Sequence, residues 1–137
     1  RQRQMCIRDR WKESFADEHY REGEEFHSFL FLDRKVVVGL CGDLWFDTNI
    51  DSINKLHPDI VFWSVYTDFN EHEWNTSEKL EYAAQAGRIN SKVLYVNSLC
   101  KDREADDIAR GGAALFAGGR IEAEIPSGQE GILVVEV

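Results

Sequence analysis

Three short apolar runs constrain this chain more than any other feature: "KVVVGLC" (35–41), "DIVFWSV" (59–65) and "KVLYVNSL" (92–99). A strand without a polar face must be covered on both sides, and such strands belong to the middle of a sheet. The segments between them have helical character. In "DTNIDSINKL" (47–56), Ile50, Ile53 and Leu56 recur at helical spacing, Asp47, Thr48 or Asn49 can cap, and Pro58 ends the run. In "NTSEKLEYAAQAGRIN" (75–90), Asn75 or Thr76 can cap, Glu78 falls in the first turn, and Leu80, Ala83, Ala84 and Gly87 share a face. Strand and helix alternate, which predicts a layered α/β sheet.

The remaining strands are shorter and more local. "FHSFLFL" (26–32) reads as a hairpin partner of the first run, joined to it by a tight Asp33-Arg34 turn. Near the C-terminus "AALFA" (113–117), "RIEAEI" (120–125) and "GILVVEV" (131–137) follow at hairpin spacing, with Gly118-Gly119 and Ser127-Gly128 as turns. These hairpins predict mixed rather than purely parallel pairing. The charged stretch 100–112, including "DREADD" (102–107), reads as a solvated loop, with a cation site there as the lesser alternative.

Charge and composition narrow the function. With 43% hydrophobic and 12% aromatic residues the chain can bury a sizeable core. A net charge of −9 argues against nucleic acid or an anionic membrane as partner. No apolar run approaches the roughly 18 residues of a membrane span. The opening "RQRQMCIRDR" reads as a translated sequencing-library adapter, so residues 1–10 are expected to be a non-native scar. Residues 11–137 are then expected to be a fragment of one domain, its C-terminal part by the resemblance given below. Setting Cys6 aside leaves Cys41 and Cys100, too few for a disulfide framework, and a reducing cytoplasm is the expected compartment.

Cys41 is the residue that suggests chemistry. It closes an apolar strand and is followed at once by Gly42 and Asp43. Ligands of α/β sheets gather at the C-terminal ends of the strands. Gly42 allows a sharp turn, and its N–H can serve as an oxyanion donor next to the thiol. A buried structural cysteine is the alternative, because free cysteine is among the most buried residue types. His19, His27, His57 and His72 form no metal motif with cysteines or carboxylates. Trp45, Trp63, Tyr66, His72 and Trp74 are candidates for a substrate pocket wall, with plain core packing as the competing account for the tryptophans.

These segments, taken in order, resemble the nitrilase superfamily of carbon–nitrogen hydrolases. "KVVVGLCGDLWF" is similar to the family's nucleophile strand, with Cys41 on the nucleophile and Asp43 on the aspartate that follows it. "HPDIVFWSVYTDFNEHEW" resembles the strand and loop on the substrate side, and Val96-Asn97 match the close of the next strand. "GGAALFAGGRIEAEIPSGQEGILVVEV" resembles the family's final hairpin and closing strand. Gly42, "WFDT", Glu81-Tyr82-Ala83 and Ala113 depart from the family's usual residues.

The resemblance implies an αββα-type sandwich with a mixed sheet, incomplete at the N-terminus. It also implies a Glu–Lys–Cys arrangement acting on an amide, carbamoyl or nitrile through a thioester. Cys41 would attack, Lys12 would steady the oxyanion with Gly42, and Glu18, with Asp17 as rival, would orient Lys12. The family's first glutamate finds no place here, so the polypeptide alone is expected to be inactive. No cofactor or metal is implied. The implied partners are a small amide or nitrile and, for the full-length parent, a second copy of the chain. Two other readings compete. One is a flavodoxin-like binding or signalling module using Asp43 and Asp68 for Mg²⁺ or phosphoryl chemistry. The other is a hydrolase scaffold kept for structure alone.

Overall fold

The computed structural model of the chain describes residues 23–101 and 108–137. Among them, the three apolar runs become β2 (Arg34–Leu40), β3 (Ile60–Val65) and β4 (Lys92–Asn97), paired in parallel at the centre of a six-stranded sheet. β1 (Ser28–Phe31) flanks β2, while β5 (Ala113–Ala117) and β6 (Arg120–Ile125) extend the sheet beyond β4, all antiparallel. The strands thus lie in sequence order, with the mixed pairing that the hairpins predict.

One face of this sheet carries the helices. Register places Val37, Val61, Val93 and Phe116 in one row, and Trp63, Tyr95 and Ala114 in the next. These residues share a buried cluster with Ile50 and Ile53 of α1 (Asp47–Lys55) and with Tyr82, Ala83 and Ala86 of α3 (Lys79–Ala86). The opposite face of the described sheet is less covered, with Val96 and Ser64 exposed and Phe62 and Leu94 half-buried. Among the described residues no helix is long and apolar enough to cross a membrane.

Several local expectations shift. The first hairpin turns at Leu32-Asp33, one residue earlier than expected, because Phe31 pairs with Arg34. Both turn residues have positive φ (48° and 61°), the geometry that matches strand twist in a two-residue hairpin. Helix α1 takes Phe46 as its N-cap without a side-chain cap, and Asn49 is instead turned inward to donate to the Asp43 carbonyl at 3.0 Å.

The second helical segment starts earlier than the pattern suggests. Asn70 caps α2 (Glu71–Glu73), accepting from the Glu73 N–H at 2.9 Å, and a π-helical turn (Trp74–Glu78) links α2 to α3. A π-turn carries one more residue than an α-turn and rotates everything after it. The buried face is therefore Tyr82, Ala83 and Ala86, while Leu80 and Ala84 are exposed. Asn75, freed from capping, exchanges hydrogen bonds with the backbone of Ser127.

The expected closing strand at 131–137 does not form a ladder. Its residues keep a strand's alternation, Leu133 and Val135 half-buried and Ile132 and Val134 exposed. The turn at Ser127-Gly128 is anchored to the Arg110 carbonyl, and Lys92 Nζ donates to the Glu136 carbonyl. Lys92 opens β4, two strands inside β6, so the chain crosses the sheet instead of running along its edge.

Candidate active site

The site begins where β2 ends. Cys41 opens a 3-10 turn (Cys41–Trp45) and itself holds a positive φ of 43°. The sequence assigns the sharp bend to Gly42, but Gly42 is not among the positive-φ residues and the left-handed position belongs to the cysteine. A non-glycine residue there costs on the order of 1–3 kcal/mol and persists only where its surroundings enforce it.

Those surroundings can be named. The Trp63 indole N–H donates to the Cys41 carbonyl at 2.8 Å. The Asp43 carboxylate turns back and accepts the Leu40 N–H at 2.9 Å. Gln85 of α3 donates to the Leu44 carbonyl. Leu44 folds onto β2 over Gly39, where an added Cβ would lie 2.3 Å from the Leu44 side chain. The "GLCGDL" stretch is thus a braced turn: a glycine makes room for a leucine, and an aspartate caps the strand it follows.

The thiol is half-buried, with Sγ 3.8 Å from the Tyr66 carbonyl in the loop after β3. Burial pushes its pKa up, hydrogen bonding to the backbone of Tyr66 and Gly42 pulls the other way, and Asp43 adds a small upward push. Asn97, at the end of β4, holds that loop. Its amide accepts the Thr67 N–H and donates to the Thr67 carbonyl, both at 3.0 Å.

Aromatic rings fill the space beneath the turn. Tyr82 of α3 stacks on Trp63 at 5.0 Å and meets Trp45 edge-on at 5.1 Å. Trp74 stacks on Tyr95 at 4.9 Å. Burial, with a smaller contribution from the nearby Cys41, pushes the Tyr82 phenol up to about 12. Tyr95 is pushed up as well, chiefly by burial. The nearby Thr67 hydroxyl pulls the other way, although neither hydroxyl makes a well-formed hydrogen bond.

The candidate pocket residues therefore divide. Trp63 and Trp74 are buried and belong to the core, the former as a brace on Cys41. Trp45 and Tyr66 are partly open to solvent beside the turn. His72 is exposed in α2, and no described contact joins it to Cys41. Lys12, Glu18, Asp17 and the loop 102–107 lie outside the described residues. Asp43, named in the flavodoxin-like reading, is buried at 1% exposure with its carboxylate on the Leu40 N–H. Among the described residues no group of three or more His, Cys, Asp or Glu is placed to hold a metal.

Sequence reading missed Thr67, Tyr82 and Tyr95. Thr67 lies in the loop just after β3, and Tyr95 lies inside β4 in register with Trp63. Nearness to a strand end was the available signal for Thr67. Tyr82 gave none, because its orientation depends on the π-turn.

No family model matches the chain, nor does any curated protein. Solved structures do. A glutamine-dependent NAD+ synthetase from Acinetobacter baumannii, in complex with adenosine diphosphate, superposes with a TM-score of 0.67 at 19% identity over 90% of this chain and 24% of its own. A nitrilase-superfamily amidase from Nesterenkonia AN1, in a mutant form, superposes with a TM-score of 0.59 at 14% identity over 79% of this chain and 40% of its own. Another mutant of that amidase, which carries acrylamide added at its active-site cysteine, gives 0.62 at 15% over 80% and 42%.

The chain shares its fold with these nitrilase-superfamily amidase structures. In nitrilase-fold terms the described residues provide one mixed sheet and one helical layer. The chain spans less than half the length of these nitrilase-fold neighbours.

Proposed function

We propose that this chain supplies the nucleophile segment of a hydrolase that cleaves amide carbon–nitrogen bonds. One observation carries the reading: Cys41 sits at the end of a central strand in a left-handed conformation, with Trp63 on its carbonyl and Asp43, Gln85 and Leu44 bracing the turn it opens. Backbone strain of that kind clusters at functional sites. Amides are the favoured substrate class because the neighbouring amidase has been seen with butyramide, and with acrylamide joined to its cysteine.

In this account the Cys41 thiol gives its proton to a carboxylate base and the sulfur adds to the amide carbon. The Gly42 N–H and the Lys12 ammonium face the resulting oxyanion, and Glu18 orients Lys12. Collapse breaks the C–N bond, the base returns the proton to nitrogen, and ammonia leaves. Water then cleaves the thioester, giving the acid and restoring the thiol. Burial pushes the thiol pKa up, and in this account a cation beside the sulfur offsets that push by favouring the thiolate.

Acrylamide provides the test. A nucleophile poised for amides is expected to add acrylamide at Cys41 at least tenfold faster than at Cys6 or Cys100, with the fast adduct lost in Cys41→Ser. Equal or slower addition at Cys41 in the folded protein would leave only a scaffold.

A further inference from the structure

Trp63 is fully buried in β3, yet its indole N–H is spent on the carbonyl of Cys41 at 2.8 Å. That contact has a geometric consequence. The peptide joining Cys41 to Gly42 is trans, so its C=O and N–H point in opposite directions. Fixing the carbonyl on the core side turns the Gly42 N–H to the opposite side, and hydrogen bonding to the Gly42 backbone draws the thiol pKa down. Trp63 is itself immobile, stacked on Tyr82 at 5.0 Å and edge-on to Tyr95 at 5.9 Å.

We propose that Trp63 is a positioning residue for Cys41: by holding the Cys41 carbonyl, its indole N–H sets the direction of the Gly42 N–H toward the thiol and toward an oxyanion formed on it. The inference rests on the reading of Cys41 as nucleophile and adds a residue that the sequence suggests only as pocket wall. The other groups facing the thiol are the Asp43 carboxylate on its own turn, the Tyr66 backbone in the loop after β3, and the Tyr82 and Tyr95 phenols from α3 and β4. None of these four groups is a donor to the Cys41 carbonyl; the 3-10 turn's own Leu44 N–H shares it, and exchanging the indole N–H for sulfur leaves that backbone bond in place.

The experiment replaces Trp63 by 3-benzothienylalanine, which keeps the ring and exchanges N–H for sulfur, and by Trp63→Phe in parallel. Iodoacetamide alkylation of Cys41 is followed against pH by peptide mass, with Cys100 as internal control. Loss of the positioned N–H is expected to move the Cys41 midpoint up by about half a pH unit in the isostere, roughly threefold slower alkylation at pH 8. Cys100 should not change. Loss of packing moves the midpoint the other way, because water entering the site lowers a thiol pKa that burial had raised. A rise in the isostere therefore supports positioning even where Trp63→Phe loosens the fold. An unchanged or lowered midpoint in the isostere overturns it. Failure of the nucleophile reading is seen separately, in the acrylamide adduct of the unsubstituted protein.

Discussion

Cys41 and Asn97 show how single side chains make this site. The cysteine accepts a strained backbone conformation, and the asparagine amide clasps both sides of Thr67 in the loop that faces it. Asn97→Ala would leave the Thr67 N–H and C=O without that partner. Each unpaired group costs about 1–3 kcal/mol. The variant is expected to lose about 2 kcal/mol of stability by denaturant titration, and Cys41 alkylation should speed up as the loop moves off the sulfur. Unchanged stability would mean that the loop holds itself.

At the scale of elements, α3 approaches the final hairpin so closely that backbone meets backbone. A Cβ on Gly87, which follows α3, would lie 2.6 Å from the Gly119 Cα. Gly87 has a helical φ of −63°, so propensity alone favours alanine by about 1 kcal/mol. The contact decides otherwise, because overpacking against backbone costs about 1–3 kcal/mol. Gly87→Ala should therefore lower the thermal midpoint; a rise would show that propensity wins. The first hairpin and the C-terminal segment pose the opposite case. Leu30 is 75% exposed and Leu32 82%, and Ile132 reaches 88%. An apolar β1 edge and an exposed apolar segment across the sheet both favour association. Replacing Leu30 and Ile132 by lysine is expected to reduce self-association at micromolar concentration in sedimentation velocity, with little change in stability.

The whole molecule inherits a pH dependence from its buried phenols and thiol. The folded state raises the pKa of Cys41 from 9.0 and of Tyr82 and Tyr95 from 10.0. Each group therefore keeps its proton in the folded state after the unfolded chain has released it. Their contribution is fully present below about pH 9 and is lost as pH rises through the unfolded values toward the Tyr82 value of about 12. Thermal midpoints should fall steeply above pH 9–10, and less steeply in Tyr82→Phe. A flat alkaline profile would show that these groups open to solvent before the molecule unfolds.

The sequence by itself determined the α/β class, the central parallel strands, the flanking hairpins and Cys41 at a strand end. Each follows from local patterning: unbroken apolar runs, helical spacing, and turn residues within a few positions. The nitrilase resemblance extended that reading to the fold and no further, because Lys12 and Glu18 lie outside the described residues. Tertiary structure alone decided that Cys41 and not Gly42 carries the left-handed φ, since the indole that braces it comes from a strand 22 residues away. It also set the face that α3 buries, because a π-turn rotates the helix and apolar spacing contains no record of it. The path of the C-terminal segment across the sheet was likewise tertiary: "GILVVEV" alternates like a strand, but whether it finds a partner depends on anchors at Arg110 and Lys92 far away along the chain. Local pattern fixes which residues want to be buried; which surface receives them is settled only when distant segments compete for the same space.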